Sequence, residues 1–314
     1  MKIAYIIIAH IDPEHISRLS DKLTKGTAHH AFIHVDKKVP IEPFIEAVGI
    51  NGQVHFVSDR VDVKWSAMSS IHATINIFRQ AYQYNPHFDR YIIIQGLCYP
   101  IRSNHEIVNF FMQDKDHEFI KASNETQSKN WLDRHKYVLY WYPDAKNIFQ
   151  KAINLFNRLM MKVGLKIPFR RPSITIDEKK YEIYRGWAHI AITGKAVAYI
   201  LDFYDKNPKF NKYFSTVLCS DESYFHTILY NSPFINNLPE VRGRNENKHN
   251  VLYFEYPDEV RIFKYKAEYQ LLYDTGLLYF RKANSESKEL LDYIDDIHHK
   301  GSPYLDEPPQ NSIL

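Results

Sequence analysis

The 314-residue chain has little cysteine, no long hydrophobic run and almost no net charge, and each shortage removes a class of protein. Two cysteines, Cys98 and Cys219, cannot make a disulfide framework, so a reducing compartment, the cytoplasm, is expected. No apolar stretch reaches the roughly 18 residues that a membrane span needs. The N-terminal run at 3–9 also lacks a small-residue cleavage site and reads as a buried strand. Net charge is +3, from 40 Lys and Arg against 37 Asp and Glu, so nothing calls for nucleic acid as a partner. A modest positive balance does suit a ligand carrying phosphates. Sixteen histidines invite a metal, but His29-His30 and His298-His299 are adjacent rather than a helical turn apart, and no HExxH spacing exists. No metal site is expected. The glycines form neither GxxxxGK[ST] nor GxGxxG, and no GxSxG elbow is present. These absences remove the common nucleotide-phosphate loops and the simplest hydrolase.

What is present is an ordinary soluble composition, 45% hydrophobic and 25% charged, in a chain long enough for a large core. Aromatics reach 15%, which suits carbohydrate stacking and equally a thick core. From 1 to 122, strands alternate with helices: strands near 3–9, 31–36, 54–57, 91–94 and 118–121, helices near 13–24, 40–48, 65–84 and 104–112. Near-continuous apolar strands between helices predict an α/β fold, a mostly parallel central sheet with helices on both faces. Ligands of such sheets lie beyond the carboxyl ends of the strands, where His10, Asp36 and Gln95-Gly96 fall.

The middle of the chain is less regular. Residues 149–171 interleave Phe149, Ile153, Phe156, Leu159, Met160, Val163 and Ile167 with Lys151, Arg158, Lys162, Lys166, Arg170 and Arg171. This basic amphipathic stretch fits peripheral contact with an anionic membrane, and equally a helix packed on the domain with its basic face in water. A strand is expected near 188–192, then a helix opened by Thr193, a strand at 251–256, and an apolar strand that turns abruptly dibasic at Arg281-Lys282. The tail from Gly301, with Pro303, Pro308 and Pro309, is expected to be flexible.

The stretch around Asp221-Glu222 organises the rest. Ser220 is a good N-cap, so both carboxylates should fall in the first turn of a helix buried through Tyr224, Phe225, Ile228 and Leu229. The helix dipole would favour their ionised forms, and a fixed carboxylate at an exposed helix tip can act as general base. At the end of the second strand, where a metal-dependent nucleotide-sugar enzyme would carry Asp-x-Asp, Asp36 stands alone before Lys37-Lys38. Fixed cations can neutralise a diphosphate in place of a metal, and Arg281 with Lys282 are the best situated.

Several blocks then occur in a recognisable order. Phe32-Ile33-His34-Val35-Asp36-Lys37-Lys38 is similar to an I-H-V-D-x-K segment, and Trp65-Ser66-Ala67-Met68-Ser69 with Ala73-Thr74 to a W-G-G-x-S…A-x helix. Gln95-Gly96-Leu97-Cys98-Tyr99-Pro100-Ile101-Arg102-Ser103 with Glu106-Ile107 resembles S-G-x-D-x-P-[LI]-[KR]-[ST]-x-x-E-I. Gly186-Trp187-Ala188-His189 with Thr193, Ser220-Asp221-Glu222 with Thr227-Ile228, and Leu278-Tyr279-Phe280-Arg281-Lys282 complete the set. Together they resemble the core-2/I-branching β-1,6-N-acetylglucosaminyltransferases, whose relatives include the peptide O-xylosyltransferases. The resemblance implies a GT-A-type nucleotide-sugar fold and an inverting, metal-independent transfer from a UDP-sugar, UDP-N-acetylglucosamine foremost. It makes Glu222 the general base with Asp221 beside it. Donor binding then falls to His10, Asp36, Gln95, Arg281 and Lys282, and acceptor binding to Trp187 and Arg134. The acceptor would be a hydroxyl of a surface polysaccharide or lipid-linked glycan. One domain is expected over 1–300, with 1–122 as nucleotide-binding half, 123–300 as acceptor and catalytic half, and 301–314 as tail. The membrane anchor of the animal enzymes has no counterpart, in keeping with a cytoplasmic protein peripheral to the inner membrane face.

Departures bear on specificity. Cys98 stands where the family usually has Asp, Trp187 where it has Ser, Ser66-Ala67 where it has a Gly pair and Gly194 where an Arg often follows. Val251-Leu252-Tyr253-Phe254 lacks an expected Arg, which Arg242, Arg244 or Arg261 would have to replace. Another UDP-sugar, xylose among them, fits the same scaffold. So does a non-catalytic carbohydrate- or nucleotide-binding protein, and 149–171 alone would suit a membrane-surface adaptor.

Overall fold

A computed structural model describes residues 1–240, 250–255 and 260–299. Arg242, Arg244, Tyr256 and the tail at 301–314 lie outside the described residues. The strands are β1 (Ile3–Ala9), β2 (His30–Val35), β3 (Val54–Phe56), β4 (Arg90–Gln95), β5 (Cys98–Pro100), β6 (Ser123–Asn124), β7 (Ser173–Ile176), β8 (Lys179–Glu182), β9 (Tyr184–Arg185), β10 (Ala191–Thr193), β11 (Leu252–Phe254) and β12 (Tyr279–Arg281). The helices are α1 (Pro13–Thr24), α2 (Glu42–Val48), α3 (Met68–Tyr84), α4 (Asn104–Gln113), α5 (Trp131–Val138), α6 (Ile148–Lys162), α7 (Gly194–Lys206), α8 (Pro208–Phe214), α9 (Tyr224–Tyr230), α10 (Tyr269–Asp274) and α11 (Lys288–His299).

The central sheet runs β10-β4-β1-β2-β3. Ile6 pairs with Phe32 on one side and Ile93 on the other, both parallel; β10 alone is antiparallel, joined to β4 through Ala191 and Ile92. One face buries Ala4, Ile6, Phe32 and Ile93 under α3 and α7. The other buries Ile3, Tyr5, Ile7 and Ile33 under α1, β12 and α11. Burial on both faces is why these strands read as unbroken apolar runs. A second sheet, β11-β12-β5, is built mostly from the C-terminal third and packs on the same core.

Local chemistry sets most element ends. Asp12 accepts the His15 N–H at 3.1 Å to start α1, a Ser103–Glu106 capping box starts α4, and Thr193 caps α7 through the Ala196 N–H. The expected strand at 118–121 does not form; only Phe119 bridges Ala191. Its backbone turns back at Ile120 N–H to Glu118 O (2.9 Å), and the buried Glu118 carboxylate accepts from Thr193 N (2.7 Å) and Oγ1 (2.6 Å). The strand expected at 188–192 shortens to β10. Helix α3 starts at Met68 rather than 65, because Ser66 adopts a left-handed φ of 68°.

Helix α6 docks in an unexpected sense. Asn154 bonds the backbone of Tyr142, Asn157 bonds Tyr140 O, and Met160 joins a small core with Val138, Leu139 and Trp141. The polar Asn face is therefore the one held by the domain. Ile148, Phe149, Leu155, Phe156 and Leu159 face water. Among the described residues no helix is long and apolar enough to cross a membrane.

Candidate active site

The parallel strands end together. Asp36 N–H donates to Ala9 O at 2.8 Å and Gly96 N–H to Ile8 O at 2.9 Å, drawing the loops after β1, β2 and β4 into one crevice. Gly96 permits this approach, since a Cβ there would lie 2.8 Å from Ile16 Cδ1 and 3.0 Å from Ala9 Cβ. The middle strand of the second sheet, β12, delivers Arg281 opposite Cys98 of β5 and alongside Phe254 of β11. Desolvation holds the His10 imidazole below its ordinary range; Asp36 opposes this, and Arg281, Lys38 and Lys282 add to it. That mutual influence puts His10, Asp36, Arg281 and Lys282 in one electrostatic neighbourhood, with Lys38 as a further member. Gln95 ends β4 at the same rim and gives its backbone N–H to Cys98 Sγ at 3.4 Å.

The cations in this crevice differ in how free they are. Lys38 Nζ lies 3.2 Å from the buried Asp36 carboxylate. Arg261 is consumed by Glu255 (2.6 Å) and Glu268 (2.5 Å), so it is no substitute for the missing Arg. Among the described residues Arg281 and Lys282 form no ion pair, and the buried Arg281 Nη1 has no hydrogen-bond partner. Cys98 is fully buried beside Arg281, and burial pushes its thiol up, so the neighbour of Arg281 is neutral. Among the described residues no group of three or more His, Cys, Asp or Glu side chains is arranged to hold a metal ion.

The carboxylates sit differently from the sequence expectation. Ser220–Glu222 form one 3₁₀ turn, and the α-helix begins only at Tyr224. Ser220 makes no side-chain cap; the turn is fixed by Cys219, left-handed at φ 61°, whose N–H donates to Ser66 Oγ at 2.6 Å. Neither carboxylate lies in a first α-helical turn, so a dipole does not govern them. Asp221 is instead pushed up to about 7, first by burial and then by the Glu222 charge, against opposition from local backbone N–H groups and Arg185.

Glu222 is gripped by Arg185, which ends the two-residue β9. Nε (2.8 Å) and Nη2 (2.5 Å) both donate to Oε2, and among the described residues Oε1 accepts nothing. The turn is registered by Gly186 N–H donating to Glu222 O at 2.8 Å. Only glycine fits there, because a Cβ would meet Lys121 O at 2.0 Å and His226 Nε2 at 2.7 Å. From α5, Asp133 lies 4.0 Å from Arg185 Nη1, and Lys136 is lowered by burial and by Arg185 while Cys219, Glu222 and Asp133 oppose. Arg134 on the same helix points elsewhere, donating to Ser128 O at 3.3 Å.

Trp187 joins the two halves of the site. Its ring meets Phe254 edge-on at 4.7 Å, and Phe254 is the register partner of Arg281. Beneath it His189 is buried and held down to about 3, by burial and then by Arg281, so it is neutral. A cavity of about 410 Å³ is lined by Trp65, Ser66, His135, Trp141, Arg158 and Leu218 among others. Sequence reasoning missed Arg185, Lys136, Asp133 and Ser66. The usable signal for Arg185 was its position directly before the Gly186-Trp187 block.

A family model described as Core-2/I-Branching enzyme matches residues 3–252. The chain is 24% identical over 256 residues to xylosyltransferase 1 of Canis lupus familiaris, covering 79% of this chain and 24% of that protein. It is 23% identical to xylosyltransferase 2 of Rattus norvegicus, over 79% of this chain and 26% of that one. It is also 24% identical to a β-1,3-galactosyl-O-glycosyl-glycoprotein β-1,6-N-acetylglucosaminyltransferase of Bos taurus, over 77% of this chain and 50% of the other. The chain thus spans a quarter to a half of the length of these relatives.

Proposed function

The chain belongs to the core-2/I-branching enzyme family, and on that premise we propose that it is an inverting glycosyltransferase of GT-A type. It moves a sugar from a UDP donor, foremost UDP-N-acetylglucosamine, to a glycan hydroxyl without a metal ion. The observation that carries this reading is the division of labour at Glu222. Arg185 fixes Oε2 while Oε1 accepts nothing among the described residues, on a half-buried side chain 20% exposed. An acceptor hydroxyl hydrogen-bonded to Oε1 gives up its proton there as its oxygen attacks the anomeric carbon from the face opposite the diphosphate. A base so oriented contributes about 10²- to 10⁴-fold in rate. The departing UDP carries negative charge towards Arg281 and Lys282, which form no ion pair among the described residues, and the unpartnered Arg281 Nη1 can meet it.

The departure at Cys98 supports the same account. A neutral thiol beside Arg281 sets no negative charge against it, whereas a carboxylate there would compete with the diphosphate for it. Trp187, between Glu222 and Phe254, offers a flat apolar face where the transferred sugar passes. The xylosyltransferase relatives favour a second donor, UDP-xylose, on the same scaffold. Glu222→Gln tests the core of the reading. Transfer, followed as UDP release with each UDP-sugar in EDTA, should fall about 10²- to 10⁴-fold while UDP affinity is kept. Retained transfer removes Glu222 from the role of base, and a parent protein that neither binds nor cleaves any UDP-sugar removes the transferase reading.

A further inference from the structure

The face of α6 turned away from the domain is not what a solvated helix presents. Ile148 is 81% exposed, Phe149 71%, Leu155 58%, and Phe156 and Leu159 52% each. Helical spacing places all five, with Ala152, on about one third of the circumference. The strip continues past the helix end through Val163, Leu165, Ile167 and Phe169, all exposed. Apolar patches of this extent on a soluble domain mark contact surfaces rather than incidental exposure. Here the patch also cannot be explained as misplaced core. The opposite, Asn-bearing side of α6 is already bonded to Tyr140 and Tyr142, and the following segment is moored by Arg170 to Tyr137 O, Leu139 O and Thr216.

Charge tells what covers it. From Ala145 to Ile176 there is no Asp or Glu, while Lys146, Lys151, Arg158, Lys162, Lys166 and Arg171 border the apolar strip. On α6 itself Lys151, Arg158 and Lys162 line one edge of that strip, the arrangement in which long stems reach from an apolar contact up to anionic groups. A second copy of the chain would set like-charged rims against each other. A protein partner would need a strongly acidic rim around an apolar centre. An anionic bilayer surface supplies both components everywhere, and a patch lying in its interface plane needs no helix able to span it.

We infer that this protein docks on anionic lipid bilayers through the outer face of α6 and the segment to Arg171. The phenyl and leucyl side chains enter the headgroup boundary while the basic rim meets lipid phosphates. The inference is independent of the transferase reading, since it uses no residue of either half of the site. One geometric result accompanies it: Arg158 and Met161 of α6 also wall the cavity that reaches Ser66, so the docking helix is shared with that cavity.

The test is flotation of the full chain with vesicles of phosphatidylcholine alone and with a third phosphatidylglycerol. The expected result is partition into the anionic vesicles at least about tenfold above the neutral ones, diminished by high salt. Phe149→Ser with Leu155→Ser and Leu159→Ser, three exposed positions, should leave thermal stability unchanged and lower that partition at least about tenfold. Lys151→Glu with Lys162→Glu should abolish the preference for anionic lipid while the apolar contact remains. Equal partition of the triple variant and the parent overturns the proposal, as does no flotation of the parent. A parent that is a dimer in solution and is made monomeric by the triple substitution assigns the patch to a second copy instead.

Discussion

Replacing Asp221 by Asn isolates the electrostatics of the carboxylate turn. Burial, and then the Glu222 charge, raises the Asp221 carboxyl from 3.8 to about 7. In the unfolded chain both influences vanish. Between about pH 4 and 7 the folded protein therefore keeps a proton that the unfolded chain has lost. The unfolding free energy must fall as pH rises through that window and level off above it. A change of about 3 units corresponds to about 4 kcal/mol, which is a ceiling. Solvent at this half-buried carboxyl and relaxation of the turn lower the expected loss to about 2 kcal/mol. Asn has the same shape and no proton to lose. Asp221→Asn should match the parent below pH 4 and exceed its stability by about 2 kcal/mol at pH 8. Urea unfolding of both proteins at half-unit steps from pH 4 to 8 measures this, and the titrations of the buried histidines cancel in the difference. If the two stabilities run parallel across the range, Asp221 ionises normally and the account of the turn is wrong.

Four other outcomes follow from the same geometry. Arg185→Met removes both donors to Glu222 Oε2 and leaves a mostly buried carboxylate; it should cost about 2 kcal/mol, a fall of about 3 °C in melting temperature for a chain of this length, and reduce transfer even at saturating donor. Arg185→Lys, which keeps the charge but not the fork, should recover stability more than rate. Arg281→Met with Lys282→Met should weaken UDP binding by about 30-fold, ~2 kcal/mol, with little change in melting temperature, read by calorimetric titration. Gly186→Ala drives a methyl into Lys121 O and should cost more than about 3 kcal/mol, seen as loss of soluble protein and of transfer together; a well-folded, active alanine variant would contradict the tight passage at Gly186.

Much of the fold was legible because its causes are local. The unbroken apolar run at Ile3–Ala9 and the Thr193 start of α7 were readable in the local sequence, and the helices near 13–24 and 104–112 are begun by caps that reach only three residues. The carboxylate turn was not, because Ser220 looks like a cap while the deciding bond comes from Ser66, 153 residues away. Arg185 was hidden for a related reason: a two-residue strand has no periodicity, and its partner Glu222 is distant in the chain. The 118–121 segment has strand composition, yet Glu118 spends its carboxylate on the start of α7. In α6 the amphipathic pattern was readable but its direction was not. Periodicity identifies an apolar face; only the bonds of Asn154 and Asn157 reveal that the other face is docked.

The pairing of β12 with β5 and β11 also sets a timetable for synthesis. His10 and Asp36 emerge from the ribosome early, and their strands can pair with β4 once residue 95 is out. Of the cations that complete their crevice, Arg281 ends, and Lys282 directly follows, the central strand of a sheet whose two outer strands cannot pair without it. At typical elongation rates the interval between residues 95 and 281 is on the order of 10–40 s. Throughout it the nascent chain has His10, Asp36 and Lys38 of the crevice but neither Arg281 nor Lys282. On the reading proposed above, competence for a charged donor would arrive late and in one step, when Tyr279–Arg281 slots between Cys98–Pro100 and Leu252–Phe254.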